Sequence, residues 1–268
     1  MDEKLYELKA YLKSLGSCVV AFSGGVDSTF LLRVASEVLR DRCIAVTISS
    51  ALIPGKELAE AKSFAENLGV KYLVLDVDEL ATEGVKENLP NRCYICKKAI
   101  FSKVLNLAKA QGVEFVCEGS NVDDESDYRP GMKAIEELNV KSPLREAGLT
   151  KTEIRALSKK YKLPTWNKPS YACLASRIPY GEAITREKLK LVENAEGYLH
   201  DIGFTQVRVR LHGNLARLEL TEADYGRIFD KTLRETINEK LKSLGIAYVA
   251  IDLMPYKTGN MNQFVGKV

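Results

Sequence analysis

The sequence has 268 residues, of which 46% are hydrophobic and 28% are charged, and this is ordinary for a globular protein of one large or two modest domains. The composition excludes a disordered chain, a collagen-like chain and a coiled-coil rod. Lys and Arg number 39 and Asp and Glu 36, so the net charge of +3 is too small to indicate nucleic-acid binding by itself. No stretch approaches the ~20 apolar residues that cross a bilayer, and the charged start of the chain has no apolar signal region. We therefore expect a cytoplasmic protein that does not enter a membrane.

The first half of the sequence alternates between helical and strand patterns. Leu5, Leu8 and Leu12 recur at helical spacing and predict a helix over residues 3–15. Short apolar runs predict four buried strands, namely Cys18–Phe22, Cys43–Ile48, Tyr72–Val77 and Phe115–Cys117. Helical patterns lie between these runs at Ser28–Leu39, Gly55–Leu68 and Lys97–Gln111. This alternation predicts an α/β fold with a doubly wound, mostly parallel sheet that is covered on both faces.

A capping box marks the start of a further helix. Thr150 supplies a hydroxyl at the N-cap and Glu153 a carboxylate three residues later, so a helix is expected from there to about Tyr161. Three prolines then interrupt every regular pattern, at positions 164, 169 and 179. We expect an ordered linker over residues 162–182 and a domain boundary near residue 180, which gives domains 1–180 and 181–268.

The remainder of the sequence predicts a smaller α+β domain. A helical pattern covers residues 185–201, and strict alternation predicts strands at 207–212 and 215–220. Gly213-Asn214 between these strands is typical of a hairpin turn. Two helices and a last strand, Tyr248–Leu253, are expected to complete this domain.

The string Ser23-Gly24-Gly25-Val26-Asp27-Ser28 follows the first strand and opens the next helix. Its two glycines allow a tight turn that aims successive amide donors into one concavity, and the helix adds unpaired N–H groups and the positive end of its dipole. With the hydroxyls of Ser23 and Ser28, these donors predict an anion site of pyrophosphate size. The string lacks the lysine of a Walker motif and the glycine spacing of a dinucleotide-binding fingerprint.

Three of the six cysteines are candidates for chemistry. Cys93 and Cys96 form a CxxC pair ahead of the Lys97–Gln111 helix, a pattern that binds metal, exchanges disulfides or arises by coincidence. Cys173 lies in a proline-rich polar loop. Three thiolates would leave one iron of a 4Fe-4S cluster open for an extra sulfide, whereas zinc would need a fourth ligand that neither histidine obviously supplies. The other cysteines lie in apolar strands, where this residue packs as a small hydrophobe: Cys18, Cys43 and Cys117.

The phosphate-loop string resembles the signature of the PP-loop ATP pyrophosphatases, which cleave ATP between the α and β phosphates and attach AMP to a substrate oxygen. Segments along nearly the whole chain together resemble the LarE family, the ATP-dependent sulfur transferases that build the nickel-pincer cofactor of lactate racemase. In chain order the segments are Ala21–Thr29, Asp127–Gly131, Thr165–Lys168, Ser176–Gly181, Gln206–Gly213 with Ala216–Leu220, and Met261-Asn262.

The LarE resemblance implies a substrate, a pyridinium mononucleotide with carboxylates at ring positions 3 and 5. Each carboxylate is adenylylated with ATP and magnesium and then becomes a thiocarboxylate. The resemblance also implies roles for particular residues. Pyrophosphate and magnesium would bind at Ser23, Gly24, Gly25, Asp27 and Ser28, and adenosine would contact Thr47 and Ser49. Arg129 would bind a phosphate, Arg208 and Arg210 would bind the phosphate of the mononucleotide, and Glu196 and Glu219 would position groups or contact metal. Without this resemblance, the two strand arginines read as a solvated face, and the acidic residues Asp123, Asp124, Glu125 and Asp127 as a solvated loop.

The position of Cys173 implies a branch of the family. Members that sacrifice a cysteine carry it four residues before the serine of the pair Ser176-Arg177, where this sequence has Ala172. Here the cysteine comes one place later and is accompanied by Cys93 and Cys96. This departure implies the branch in which three cysteines hold a 4Fe-4S cluster, so these three thiols and Asp27 are the predicted catalytic groups. The family further suggests a homo-oligomer, a hexamer, while the sequence does not identify the sulfide donor.

Two other functions compete with this interpretation. A PP-loop tRNA thiolase also uses three cysteines and an iron–sulfur cluster, but tRNA binding needs a basic face that the interspersed charges do not predict. A non-enzymatic adenylate-binding regulator would need the phosphate loop but not the reactive thiols. We therefore expect a small-molecule substrate and no nucleic-acid partner.

Overall fold

The computed structural model describes residues 1–126, 130–169 and 172–257. The chain divides into two compact units, Met1–Thr82 with Asn91–Tyr171, and Glu83–Pro90 with Ala172–Val268. The second unit thus includes residues 83–90, which the expected division at residue 180 leaves in the first. Backbone hydrogen bonds hold this segment there, because the amides of Gly181 and Ile184 donate to the carbonyls of Asn88 and Lys86.

The first unit contains a four-stranded sheet with helices on its two faces. Its helices and strands are α1 (Asp2–Leu15), β1 (Cys18–Ala21), α2 (Val26–Leu39), β2 (Cys43–Ser49), α3 (Gly55–Asn67), β3 (Lys71–Asp76), α4 (Arg92–Ala110), β4 (Phe115–Cys117), α5 (Pro130–Glu137), α6 (Pro143–Glu146) and α7 (Lys151–Lys160). The capping box at Thr150 is present as predicted, since the side chains and backbone amides of Thr150 and Glu153 satisfy each other.

All four strands of this sheet are parallel, in the order β3-β2-β1-β4. Alternate residues of β1 enter two separate cores: Val20 packs with α1, α2 and α7, and Val19 packs with α4 and α5. Both faces of the sheet are therefore covered, which is why its strands appear in the sequence as continuous apolar runs. The predicted α/β fold is confirmed. Because parallel strands share one carboxyl edge, the loops that follow β1, β2 and β4 emerge on the same side.

The start of α4 differs from the prediction. The helix begins at Arg92 rather than at Lys97, and the amides of Tyr94 and Ile95 already donate to the carbonyl of Asn91. Asn91, a residue type favoured at the N-cap, directly precedes this start and was the available local signal, although its side chain makes no capping hydrogen bond with the described residues. Cys93 and Cys96 consequently lie within the first turns of a helix instead of before it.

The second unit is a small α+β structure, as predicted. Its elements are α8 (Arg186–Asp201), β5 (Val207–His212), β6 (Leu215–Leu220), α9 (Glu222–Ile228), α10 (Lys231–Ser243) and β7 (Tyr248–Ile251). The strands β5 and β6 form the expected antiparallel hairpin, and β7 pairs in parallel with β6. Helices α8, α9 and α10 cover the apolar face of this sheet. The last strand ends at Ile251, two residues earlier than predicted. Among the described residues, no helix combines the length and the apolar character needed to span a bilayer.

Candidate active site

The loop between β1 and α2 gathers hydrogen-bond donors around one point. The Ser23 and Ser28 hydroxyl oxygens lie 3.0 Å apart, and the amide of Gly25 donates to Ser23 Oγ over 3.4 Å. The first amides of α2 add further donors, because the first turn of a helix has no internal acceptors for them. Amides, hydroxyls and the helix dipole thus converge as an anion site requires. These groups lie together in the loop for which the sequence predicts pyrophosphate binding.

Two glycines are needed here for different reasons. Gly24 has a φ of +69°, in the left-handed region that other residues adopt only with strain. Gly119, which follows β4, allows close packing on the loop, because a Cβ there would lie 3.1 Å from the backbone nitrogen of Ser28. The loop after β4 therefore closes over the start of α2. Gly25 has an ordinary φ of −79°, so glycine is not required there by the backbone conformation. Its lack of a side chain instead leaves room beside the loop.

A charged pair lies at the first turn of α2. The Lys151 ammonium donates to the Asp27 carboxylate, and the Asn121 amide approaches its other oxygen at 3.4 Å. Burial raises the pKa of the Asp27 carboxyl above its usual value, and the ammonium of Lys151 counters part of that shift. Sequence analysis missed Lys151 as a site residue. The available signal was its place directly after the capping Thr150, at the start of a helix.

Residues after β2 and β4 complete the carboxyl edge. The predicted adenosine contact Thr47 is buried, and its hydroxyl donates to the carbonyl of Phe22 over 2.7 Å, which fixes the residue that precedes the phosphate loop. Ser49 ends β2 and is half-buried. Glu118, which sequence analysis also missed, is buried and accepts hydrogen bonds from the hydroxyls of Ser120 and Ser142. These contacts order the strand ends around the loop.

Two residues of the acidic cluster make hydrogen bonds to the backbone, and of these Asp124 is buried while Asp123 is exposed. The buried Asp124 accepts from the amide of Asn121 at 2.9 Å, and Asp123 accepts from the amide of Lys151 at 2.8 Å. Asp123 and Asp124 therefore fix the turn that carries Asn121 towards Asp27. Asp127 and Arg129, for which sequence analysis predicted roles, lie outside the described residues.

A lysine from the turn after α7 also reaches the phosphate loop. The Lys168 ammonium lies 3.3 Å from the carbonyl oxygen of Gly24, 2.7 Å from Glu57 Oε2 and 2.8 Å from Glu60 Oε2. It lines a cleft of about 490 Å³ together with Phe22 and residues of α3. Lys168 was noticed in the sequence only as part of a family segment, since nothing local indicates its partner.

In the second unit, the face of the sheet opposite the helices carries charges that are buried. Arg208 and Arg210 are 2% and 4% exposed, so the solvated strand face expected without the family resemblance is wrong. Arg210 pairs with the fully buried Glu219 at 2.7 Å and donates to the carbonyl of Ser176. Burial and the neighbouring guanidinium of Arg177 lower the pKa of Arg208. Arg alternates with Val in β5 because one face of the strand packs in the apolar core and the other meets carboxylates and carbonyl oxygens.

Glu196 orders the loop that carries Cys173. Arg177 is 1% exposed and binds Glu196 through two hydrogen bonds of 2.9 Å. The same guanidinium donates to the carbonyls of Ala172 and Cys173, while Glu196 also accepts from the amide of Val209. Arg177 is thus a further residue that sequence analysis did not single out. The buried ion pair between Arg177 and Glu196 therefore holds the backbone of the Cys173 loop in place.

The cysteines divide as predicted by burial. Cys18, Cys43 and Cys117 are buried in the sheet, whereas Cys93 and Cys96 are half-buried and Cys173 is exposed. None of the six is in a disulfide. In the described ranges, no three His, Cys, Asp or Glu side chains gather closely enough to hold a metal ion. Cys93 and Cys96, three residues apart on one helix, lie on the same face of α4.

Comparison with known proteins identifies the family. The family described as NAD synthase matches residues 3–98, which contain the phosphate loop. The chain is 40% identical to the pyridinium-3,5-bisthiocarboxylic acid mononucleotide synthase of Lactiplantibacillus plantarum, over 97% of this chain and 94% of that protein. This protein belongs to the LarE family. An uncharacterized protein of Synechocystis is 39% identical over the full length of both chains.

Similarity to tRNA-modifying enzymes is narrower. A tRNA-specific 2-thiouridylase of Rickettsia typhi is 29% identical over 58% of this chain and 53% of that protein. The LarE match extends through both units, including the arginine-bearing strand β5, whereas the thiouridylase match covers a little more than half of the chain.

Proposed function

We propose that this protein is a pyridinium-3,5-bisthiocarboxylic acid mononucleotide synthase, an enzyme that uses ATP to replace carboxylate oxygen by sulfur on a pyridinium mononucleotide. The observation that carries the proposal is the whole-length identity to a synthase of that name, in a chain whose phosphate loop gathers the donors described above.

The first step activates a carboxylate. A carboxylate oxygen of the substrate attacks the α-phosphorus of ATP, the bond from that phosphorus to the bridging oxygen breaks, and pyrophosphate leaves with the electron pair. The amide of Gly25 and the hydroxyls of Ser23 and Ser28 donate to the departing pyrophosphate. Asp27 would hold the magnesium ion that neutralises its charge, and Lys151 adds a cation at the same place.

The second step introduces sulfur. AMP is a good leaving group, so sulfide displaces it from the acyl adenylate: a carbon–sulfur bond forms and the carbon–oxygen bond to AMP breaks. Cys93, Cys96 and Cys173 are the residues that would hold a 4Fe-4S cluster, which supplies an open iron for that sulfide. Their half-buried or exposed thiols suit this role, in contrast to the three buried cysteines. Arg177 and Glu196 fix the backbone on either side of Cys173.

The arginines of β5 suit the phosphate of the mononucleotide. The cluster around β5 contains three arginines and two carboxylates, so it carries excess positive charge; its members are Arg177, Arg208, Arg210, Glu196 and Glu219. The Nε atom of Arg210 is buried and has no hydrogen-bond partner among the described residues, although an unsatisfied buried donor is costly. A phosphate oxygen would satisfy it. We expect Arg210→Lys to weaken mononucleotide binding by about 2 kcal/mol while ATP affinity is unchanged. Lysine keeps the charge opposite Glu219 but loses the planar guanidinium, whose paired N–H groups can donate two hydrogen bonds to a phosphate.

Anaerobic turnover tests the proposal. Protein reconstituted with iron and sulfide is incubated with ATP, magnesium and the biscarboxylate mononucleotide, and pyrophosphate and the mass of the product are measured. We expect pyrophosphate release that depends on the mononucleotide. We also expect the mass of the product to show that carboxylate oxygen has been replaced by sulfur. Release without any sulfur in the product would refute the sulfur-transfer step. If the same preparation instead thiolates tRNA, the alternative of a tRNA thiolase holds. A homo-oligomer in the cytoplasm remains a prediction of the sequence.

A further inference from the structure

Lys168 approaches the phosphate loop from the side opposite its converging donors. Its ammonium lies 3.3 Å from the carbonyl oxygen of Gly24, and its side chain is 14% exposed. Burial lowers the pKa of Lys168, but hydrogen bonds to Glu57 and Glu60 outweigh this effect and raise it above the usual value. The group that touches the loop is therefore a fixed cation with little competing water.

The geometry of one peptide group connects this contact to the anion site. The peptide between Gly24 and Gly25 is trans, so its carbonyl and its N–H point in opposite directions. The carbonyl points to Lys168, and the N–H points to Ser23 Oγ, which lies 3.0 Å from Ser28 Oγ. Holding the carbonyl thus directs an amide donor towards the two hydroxyls.

The loop needs such a hold because of its glycines. Glycine adopts positive and negative φ with similar ease, so the sequence Gly24-Gly25 has little preference of its own for the orientation of this peptide. Packing against α3 supplies part of the restraint, since a Cβ on Gly24 would lie 3.4 Å from the Cβ of Ala61. Lys168 supplies the polar part.

The turn that carries Lys168 is itself anchored. The guanidinium of Arg155 on α7 donates to the carbonyls of Trp166 and Lys168 over 2.9 Å each. Glu57 and Glu60 on α3 bind the Lys168 ammonium, the same group that contacts the carbonyl of Gly24. Lys168 therefore connects two helices to one carbonyl of the phosphate loop.

We propose that Lys168 is a positioning residue for pyrophosphate: by holding the Gly24 carbonyl, it orients the Gly25 amide that donates to the leaving group. The inference rests on the proposed function, because it assigns the loop to ATP. Lys168 acts through the peptide group and makes no contact with the substrate. Loss of one well-aligned donor to a charged group should weaken pyrophosphate binding about 10- to 100-fold. AMP, which has no phosphate at the pyrophosphate position, should bind as before.

Calorimetry of the full chain with inorganic pyrophosphate and with AMP, each with magnesium, tests this inference. Lys168→Met should lose pyrophosphate affinity and keep AMP affinity, while Lys168→Arg, which retains a cationic donor, should recover most of the loss. Lys9→Met is the matched control, because it breaks another lysine–glutamate pair of the same unit, with Glu37 at 2.6 Å. It should change neither affinity.

Unchanged pyrophosphate affinity in folded Lys168→Met would overturn the inference, and so would an equal loss of both affinities, which indicates a general structural role. If Lys168→Met does not fold, Lys168→Gln is measured at a temperature below its melting midpoint, with the same selective loss expected. The binding assay needs no sulfur acceptor. The inference can therefore fail while sulfur transfer stands, and a failure of sulfur transfer leaves the binding result interpretable.

Discussion

The ammonium group of Lys151, at the start of α7, contacts the carboxylate of Asp27, in the first turn of α2. The two residues are far apart in the sequence, yet their contact combines the predicted magnesium ligand with a cation at the pyrophosphate site. Because burial alone raises the pKa of Asp27, the lysine keeps this carboxyl ionised over a wider pH range.

The first prediction concerns the pH dependence of this pair. Asp27 must be ionised to bind magnesium, so pyrophosphate release should fall as the pH drops through its raised pKa. Lys151→Met removes the group that lowers this pKa, and the acidic limb of the kcat/KM profile should therefore move to higher pH. A maximal rate at least tenfold lower is also expected, since a cation at the leaving group is lost. An acidic limb that stays in place would contradict the assigned coupling. Lys9→Met serves as a control that removes a lysine elsewhere in the same unit.

The second prediction separates the two glycines of the loop. Gly25→Val should leave the melting midpoint nearly unchanged, because the φ of Gly25 is ordinary and its added Cβ would contact Ser23 Oγ alone among the described residues, at 3.4 Å. The side chain would nevertheless enter the anion site, so pyrophosphate release should be abolished. Gly24→Ala, with a φ of +69°, should instead destabilise the protein by about 1–2 kcal/mol. If Gly25→Val still released pyrophosphate, the assignment of this segment as the phosphate loop would be wrong.

The third prediction concerns sulfur. Single changes of Cys93, Cys96 or Cys173 to Ala should each lose the 4Fe-4S absorbance and the sulfur transfer, because thiolates are required for iron ligation. Adenylylation should partly survive, since the phosphate loop supplies none of these ligands. Matched controls are the buried cysteines, and Cys18→Ala and Cys117→Ala should keep the cluster.

The mass of the protein after turnover provides an independent check of this third prediction. Repeated turnover with sulfide should leave the mass unchanged. A loss of one hydrogen sulfide at Cys173 would show sacrificial chemistry instead, and anaerobic protein that contains zinc or no metal would also refute the cluster.

The fourth prediction concerns acid stability. Hydrogen bonding from Lys4, with the backbone amide of Thr150, holds the pKa of Glu153 at about 2, below its ordinary 4.5. A folded-state pKa below the unfolded one stabilises the protein above pH 4.5, and this stabilisation is lost as the pH falls towards 2. Glu153→Gln should lower the free energy of unfolding at pH 7 by about 1 kcal/mol or less, as for a partly exposed capping residue. Denaturant titrations should show the difference vanishing near pH 2, and a constant difference would contradict the linkage.

The sequence by itself determined the fold class and the phosphate loop. Buried parallel strands appear as apolar runs, amphipathic helices as a 3.6-residue period, and the loop as glycines and serines between a strand and a helix, and each of these signals is local. The hairpin at Gly213 and the capping box at Thr150 were predictable for the same reason. The family segments extended the prediction to the substrate, because they are distributed over nearly the whole chain.

Only the tertiary structure decided which charges surround the site. Lys151 and Lys168 reach Asp27 and Gly24 across more than a hundred residues, and the pairing of Arg177 with Glu196 depends on how the Cys173 loop packs on α8. Alternating Arg and Val in β5 predicts a solvated face, yet both arginines are buried, because ion pairs and carbonyl acceptors compensate the lost water. Local patterns do not encode such partners, since they depend on the packing of whole elements.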